Sequence, residues 1–181
     1  MGTSGLLVFV FGTQRRATYC HFDSYPTGLG QDIVDFILEL QPEQYAIMNQ
    51  RLEKLEWVEQ NIQVPKDLQE KYQKLGYSQS SGDARQTEWY WILRKLQGAQ
   101  ALRPILDGKL EHLVDAKLNG YKPEFSYFVD FQDMTLETWN YDRVADKVSF
   151  QTLAESKKDY MEKLEKKLDE ELEERYQASR Q

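Results

Sequence analysis

The residues with the greatest chemical potential lie in one segment near the N-terminus, residues 19–26, which leads into a glycine-containing loop. If this segment continues a β-strand, Tyr19, His21 and Asp23 share one face, because alternate side chains of a strand point to opposite sides. The His21 imidazole offers a donor and an acceptor, and the Asp23 carboxylate offers acceptors. Free backbone N–H groups at the start of the following helix would suit an anion. The segment therefore predicts a binding site for a small polar ligand.

A structural role is the competing interpretation of the same residues. His21 and Asp23 would then hold the loop in place, and Gly28 and Gly30 would serve the backbone geometry of a tight turn. Both interpretations stay open at the level of the sequence.

Catalytic and metal-binding arrangements are weakly supported by this segment. Cys20 and His21 are neighbours on a strand, so their side chains point to opposite faces and do not meet. Ser24, His21 and Asp23 lie within four positions of one another, which rarely allows triad geometry. The chain has one cysteine and two histidines, and the second histidine, His112, is far from the first in sequence. We therefore expect no catalytic residue, no metal and no cofactor.

A second cluster is aromatic and occupies residues 89–91. Trp89 continues an apolar stripe with helical spacing and is expected in the core. Tyr90 and Trp91 point elsewhere on such a helix, where they would either stack against a ligand or pack against neighbouring elements.

The elements that would position these residues are strands at both ends of a helical middle. Residues 6–11 are apolar without interruption, which predicts a central strand, and residues 15–22 return as its antiparallel partner. A second hairpin is predicted from residues 125–131 and 135–139. This arrangement predicts an α+β fold rather than a regular βαβ series.

The helical middle is predicted from apolar residues at helical spacing. Helices are expected over residues 29–40, 43–62, 65–75 and 87–98, the last with Thr87 as its cap, followed by a short helical segment over residues 99–106. Residues 76–86 are rich in serine and glycine, and we predict a mobile surface loop there.

The C-terminal segment differs in character, and we predict a compact α+β domain over residues 1–153 and a charged amphipathic helix over residues 154–181. Apolar residues recur every four positions from Tyr160 to Tyr176, so their stripe creeps around a helix that turns every ~3.6 residues. The helix would pack one edge on the domain, or alternatively bind a partner or form a homodimer. Because the stripe is narrow, removal of residues 157–181 is expected to leave a folded domain.

Composition limits the classes of function. Hydrophobic residues make up 40% of the 181, which is enough for a core. The formal net charge of −7 disfavours binding to bulk nucleic acid, which needs a basic face, although a single nucleotide remains compatible. The longest apolar run, residues 6–11, is too short to span a membrane, and the N-terminus lacks the pattern of a signal peptide. The cytoplasm is the expected location, with no membrane partner.

The opening Met-Gly-Thr-Ser-Gly, the His-Phe-Asp-Ser-Tyr-Pro segment at residues 21–26 and the Gly-Leu-Gly at residues 28–30 resemble a family of small uncharacterised proteins. These proteins come from phages, bacteria and fungi, open with Met-Gly-Thr-Arg-Gly and carry Asn-His-Phe-Asp-Ser-Tyr-Pro. The resemblance extends through the aromatic cluster to the second hairpin. This chain departs from the family at Ser4, where arginine is usual, and at Cys20, where asparagine is usual. An arginine at position 4 would suit an anionic ligand, and the family implies no settled activity.

A looser similarity, in layout only, links the chain to N-terminal-nucleophile hydrolases, which begin with a strand at the mature N-terminus and continue into a hairpin. Removal of Met1 would expose Gly2, which has no nucleophilic side chain, and Thr3 would need one further cleavage to become terminal.

The sequence therefore predicts a non-enzymatic binding protein that holds a small polar, nucleotide-like molecule beside the first hairpin. The alternatives are an amide hydrolase of the N-terminal-nucleophile type and an interaction module that acts through the C-terminal helix. A phage origin, which the resemblance makes relevant, would place the protein in the host cytoplasm and would suit sequestration of a host defence signal. The predicted ligand-binding residues are Thr3, Ser4, Tyr19, His21, Asp23, Ser24, Tyr25, Gly28, Gly30, Tyr90 and Trp91.

Overall fold

The structure, a computed structural model, describes residues 3–78, 86–118, 122–156 and 159–180, and these residues form a mixed α+β fold. The strands, in chain order, are Gly5–Phe11 (β1), Gln14–Cys20 (β2), Glu56–Val58 (β3), His112–Val114 (β4), Phe125–Asp130 (β5), Thr135–Asn140 (β6) and Arg143–Ser149 (β7). The helices are Gln31–Glu39 (α1), Pro42–Lys54 (α2), Lys66–Lys74 (α3), Trp89–Ile92 (α4), Leu102–Leu106 (α5), Phe150–Glu155 (α6) and Tyr160–Ala178 (α7). The predicted fold class and the predicted C-terminal helix are confirmed.

The main sheet has the strand order β2-β1-β5-β6-β7. Both predicted hairpins are present, because β1 pairs with β2 and β5 pairs with β6 in antiparallel orientation. The two hairpins join through a parallel pairing of β1 with β5, which the sequence did not predict. An additional strand, β7, extends the second hairpin into a meander.

Strand β1 lies at the centre of the packing, as its uninterrupted apolar residues predict. On one face of the sheet, Leu7 and Phe9 are buried in the large core that includes α1. On the other face, Leu6 and Val8 are buried in a smaller cluster, against which Phe128 packs. Because both faces of β1 are covered, the strand can carry apolar side chains at consecutive positions.

Helix α2 ends earlier than the apolar spacing predicts. It ends at Lys54, and Leu55 is extended, so the chain continues into β3 instead of remaining helical to residue 62. Strand β3 pairs in parallel with β4 to form a separate two-stranded sheet. The predicted long second helix is therefore wrong over its last part, because pairing with a distant strand overrides the helical pattern.

Helix α4 is also shorter than predicted. It ends at Ile92 and its first flanking residue is Glu88, not Thr87. The chain then turns through a 3-10 segment, Gly98–Ala101, whose first residue has a positive φ of 58°. The predicted surface loop over residues 76–86 lies largely outside the described residues.

Helix α7 has two halves with different environments. In the first half, Met161 and Leu164 are only 0% and 6% exposed. The carboxylate of Glu165 accepts a hydrogen bond of 2.8 Å from the backbone N–H of Thr27. In the second half, Leu172 and Tyr176 are 67% and 59% exposed. The helix therefore packs its beginning on the domain and extends its end into solvent.

Candidate functional site

The loop after β2 is closed by hydrogen bonds within its own backbone. Strand β2 ends at Cys20, and Asp23 adopts a left-handed conformation with φ of 51°. The N–H groups of Gly28 and Gly30 donate to the carbonyl of Tyr25 at 3.0 and 3.3 Å, and the N–H of Leu29 donates to the carbonyl of Asp23 at 2.8 Å. The N–H groups of Gly28, Leu29, Gly30 and Gln31, which lead into α1, are thus already used within the segment and are not offered to an anion.

The two glycines of this loop are required by close packing. A Cβ at Gly28 would collide with the carbonyl oxygen of Asp23. A Cβ at Gly30 would lie 2.9 Å from the Tyr127 ring and 3.1 Å from the sulfur of Met161. Both contacts are closer than ordinary van der Waals packing, which favours the structural interpretation for these glycines.

Ser24 and Thr3 lie in the interior beside the loop. Ser24 is 0% exposed, its carbonyl accepts a hydrogen bond of 2.9 Å from the Tyr127 hydroxyl, and its N–H donates to the carbonyl of Thr3 at 3.3 Å. Thr3 is 7% exposed. Tyr25 packs its ring against Phe125, with ring centroids 6.2 Å apart, and Ser4 is half-buried. Thr3, Ser24 and Tyr25 therefore help to hold the loop on the sheet.

A cleft of about 330 Å³ opens beside His21, and none of the loop residues described above lines it. It lies between the end of β2, helix α4 with the turns that follow it, and the chain that leaves β4. Its lining residues are Thr18, Tyr19, His21, Gln60, Tyr90, Leu93, Leu96, Gln97, Leu113, Val114 and Ala116. Three of the predicted ligand-binding residues therefore meet in one cavity: Tyr19, His21 and Tyr90.

The rings of these three residues form one corner of the cleft. The Tyr19 and His21 rings are perpendicular, with centroids 4.5 Å apart. The Tyr90 ring is also perpendicular to His21, at 6.3 Å, and its hydroxyl lies 3.4 Å from Nε2 of His21. Strand alternation brings Tyr19 and His21 together as the sequence predicts. Asp23 does not join them, because the strand ends before it and its side chain is exposed outside the cleft.

The remainder of the cleft combines an apolar floor with amide groups. Leu93, Leu96 and Leu113 are buried and form part of the lining. Gln60 and Gln97 add side-chain amides, each of which can donate and accept hydrogen bonds. A largely apolar cavity with a few polar groups is typical of sites for small molecules.

The surroundings of His21 favour its neutral form. Burial lowers the pKa of His21 below its usual 6.5, and the positive charge of Arg94 lowers this pKa further. Arg94 is fixed nearby, since its Nη1 donates to Oε1 of Gln97 at 2.7 Å and its guanidinium carbon lies 4.9 Å from the centroid of the Tyr90 ring. A neutral imidazole offers the cleft one donor and one acceptor.

Two residues singled out from the sequence lie outside the cleft. Trp91 packs edge-on against Tyr90, with ring centroids 5.0 Å apart, and does not line the cavity. The thiol of Cys20 donates to the carbonyl of Phe22 at 3.2 Å, away from the imidazole of His21. Sequence reasoning missed Gln60, Gln97 and Ala116, because nothing in their local sequence distinguishes them from surface residues.

The second histidine belongs to a separate buried polar cluster. Nδ1 of His112 lies 2.7 Å from the Tyr72 hydroxyl, Nε2 lies 3.4 Å from the carboxylate of Glu56, and the imidazole stacks on Trp89 at 4.7 Å. Burial lowers the pKa of His112, although Glu56 and Glu111 partly offset this effect. Within the described ranges, no group of three or more histidine, cysteine or acidic side chains is placed to hold a metal ion.

Comparison with known proteins gives no further guide. No family model matches the chain, and neither a curated protein nor a solved structure matches it. Among the helices in the described part of the chain, none is long and apolar enough to cross a membrane.

Proposed function

We propose that this chain is a non-enzymatic binding protein that holds a small polar, nucleotide-like molecule in the cleft beside His21 and Tyr90. The observation that carries the proposal is the composition of this one cavity. Its leucine floor and aromatic corner suit the faces of a planar ring, and the amides of Gln60 and Gln97 suit hydrogen-bonding edges of that ring. A nucleobase has both properties.

Binding without chemical change is supported by where the potential nucleophiles lie. Thr3 and Ser24 are buried, and neither lines the cleft. The Cys20 thiol is hydrogen bonded to a carbonyl outside the cleft. The Tyr90 hydroxyl does line the cleft, 3.4 Å from Nε2 of His21, so the test for a cleaved product below covers this pair as well. A protein of this kind in the cytoplasm would sequester its ligand, and a defence signal of a phage host is one such ligand.

The test is a thermal-shift and calorimetric screen with adenosine, guanosine, cytidine and uridine, together with their 5′-monophosphates. A bound ligand at about 100 times its Kd stabilises the folded state by about 2.7 kcal/mol, so the melting temperature rises. We expect His21→Ala to abolish this rise. Tyr90→Phe, which keeps the ring and removes one hydroxyl, should weaken binding by about three- to tenfold.

The matched control is Tyr141→Phe, which removes a hydroxyl from an exposed tyrosine in the turn between β6 and β7. It should bind as the wild-type chain does. Mass spectrometry of the ligand after denaturing release should recover the intact molecule. A cleaved product would instead show that the protein is an enzyme, and an equal loss of binding in Tyr141→Phe would show that the cleft is not the binding site.

A second candidate function is partner binding through the end of α7, including formation of a homodimer. The observation that favours it is the exposure of Leu172 and Tyr176, both of which continue the apolar stripe beyond the part that packs on the domain. Apolar side chains on a projecting helix are typical of surfaces that meet another helix.

A further inference from the structure

A second, shallower pocket of about 300 Å³ adjoins the cleft. The two cavities share the side chains of His21 and Gln97, which form the boundary between them. The second pocket is also lined by Arg94, Lys95 and Cys20. A molecule in the cleft can therefore extend past His21 towards two consecutive basic side chains.

The charges of these two side chains are available to a ligand. Within the described residues, no carboxylate lies within ion-pair distance of Arg94 or Lys95. Elsewhere the same structure pairs basic groups closely, as in the 2.7 Å contact between Arg16 and Asp115. The chain carries a formal net charge of −7, so acidic side chains are plentiful, yet the described ones leave this pocket positive.

Arg94 is also held in one orientation before any ligand arrives. The hydrogen bond from its Nη1 to Gln97 and its contact with the Tyr90 ring fix the guanidinium at the boundary of the two cavities. The remaining N–H groups of the guanidinium can donate to two oxygens of one oxyanion. A group fixed in this way loses little conformational entropy when it binds.

We infer that the ligand carries an oxyanion, a phosphate or a carboxylate, which binds Arg94 and Lys95 in the second pocket while its planar body occupies the cleft. This inference rests on the proposed function for the body of the ligand and adds the place and chemistry of its acidic group. It also moves the anion site away from the glycine loop, where the N–H groups of Gly28, Leu29 and Gly30 are used internally. His21, between the two cavities, contacts both parts of the ligand.

The first test compares each nucleoside with its own 5′-monophosphate by calorimetry. For any base that binds, the monophosphate should bind about tenfold more tightly or better, the size of effect expected from one charge-assisted hydrogen bond. Arg94→Gln and Lys95→Gln should each remove most of that advantage. Lys95→Gln should leave the affinity for the nucleoside nearly unchanged, whereas Arg94→Gln should also lower it, because Arg94 contacts Gln97 and Tyr90 of the cleft. Lys95→Gln matters because Lys95 is exposed and its replacement does not disturb the contacts of Tyr90.

The charge control is the double variant Lys66→Gln/Arg143→Gln. Both residues are exposed and lie outside the cleft and the second pocket, and the change in net charge equals that of Arg94→Gln/Lys95→Gln. The control should keep the preference for the monophosphate. Loss of the preference in this control would show that it reflects overall charge, and the inference would be overturned.

The second test uses the only cysteine of the chain as a reporter, because Cys20 lines the second pocket. Inorganic pyrophosphate, at constant ionic strength, should slow the alkylation of Cys20 by iodoacetamide. The slowing should disappear in Arg94→Gln/Lys95→Gln and persist in the control. Slowing by pyrophosphate when no nucleoside or nucleotide binds would support the oxyanion site and overturn the proposed function. Equal affinities of nucleoside and monophosphate without any slowing would overturn the oxyanion site and leave the proposed function standing.

Discussion

His21 and Asp23 are two residues apart, yet the structure gives them different surroundings. His21 lines the cleft beside Tyr19 and Tyr90. Asp23 follows the end of β2, has a positive φ and contributes its carbonyl to the loop, while its side chain is exposed. At the scale of single residues, the histidine of the pair belongs to the cleft and the aspartate belongs to the backbone of the loop.

Substitution of Asp23 separates these two roles. Asn is tolerated in the left-handed conformation, so Asp23→Asn should leave ligand affinity and the free energy of unfolding unchanged within about 0.5 kcal/mol. Asp23→Val should lower the free energy of unfolding by about 1–2 kcal/mol, because a β-branched residue is strained at this φ. Urea unfolding and calorimetry would measure both quantities. Loss of ligand binding in Asp23→Asn would show that the Asp23 carboxylate does contact the ligand.

At the scale of elements, the sequence predicted helix α7 but not how much of it is buried against the domain. Its beginning covers the glycine loop with Met161 and Leu164, and Met161 lies against the position of Gly30. Its end is exposed, as the narrow apolar stripe and the many charged residues predict. The structure therefore changes the expectation that removal of residues 157–181 leaves a folded domain.

Two truncations test this division of α7. Removal of residues 157–181 should destabilise the protein strongly, because each of the buried side chains Met161 and Leu164 contributes about 1.5–3 kcal/mol. Removal of residues 169–181 only should leave the melting temperature nearly unchanged. Thermal unfolding with light scattering would follow stability and oligomeric state together. If removal of residues 169–181 converts a dimer to a monomer, partner binding through the end of α7 is established. If the protein that lacks residues 157–181 is stable and monomeric, the packing of Met161 and Leu164 on the domain is contradicted.

At the scale of the whole molecule, two histidines link stability to pH. The folded structure lowers the pKa of His112 by burial, an effect that Glu56 and Glu111 partly offset, and it lowers the pKa of His21 by burial and by the charge of Arg94. The unfolded chain, with histidine pKa values near 6.5, therefore binds more protons than the folded chain below that pH. The free energy of unfolding should thus fall as the pH decreases from about 6.5 through the lower folded-state pKa values.

Urea unfolding of the ligand-free protein at a series of pH values would measure this dependence. His112→Asn, which keeps a polar side chain beside the Tyr72 hydroxyl, should remove the part of the slope that His112 contributes. His21→Asn should remove the other part, and the double variant should show a nearly flat stability between pH about 5 and 7. A slope that persists in the double variant would assign the pH dependence to carboxyl groups instead.

The sequence by itself determined the features that depend on near neighbours in the chain. The apolar run in β1 indicates a strand covered on both faces, and short connections force each hairpin to pair in antiparallel orientation. The spacing of residues 19 and 21 places two side chains on one face. The apolar repeat from residue 160 onwards predicts a helix with a narrow packed edge. Each of these properties follows from the periodicity of a strand or a helix, which is a local quantity.

Only the tertiary structure decided how those parts meet. The parallel pairing of β1 with β5 joins segments more than a hundred residues apart, and the pairing of β3 with β4 ends α2 early. The cleft combines residues from β2, from the chain after β3, from α4 and the turns that follow it, and from the end of β4. Gln60 and Gln97 have no local pattern that predicts a site, because their role comes from packing between distant segments. Distant contacts depend on the total burial that they achieve together, and local periodicity does not encode that choice.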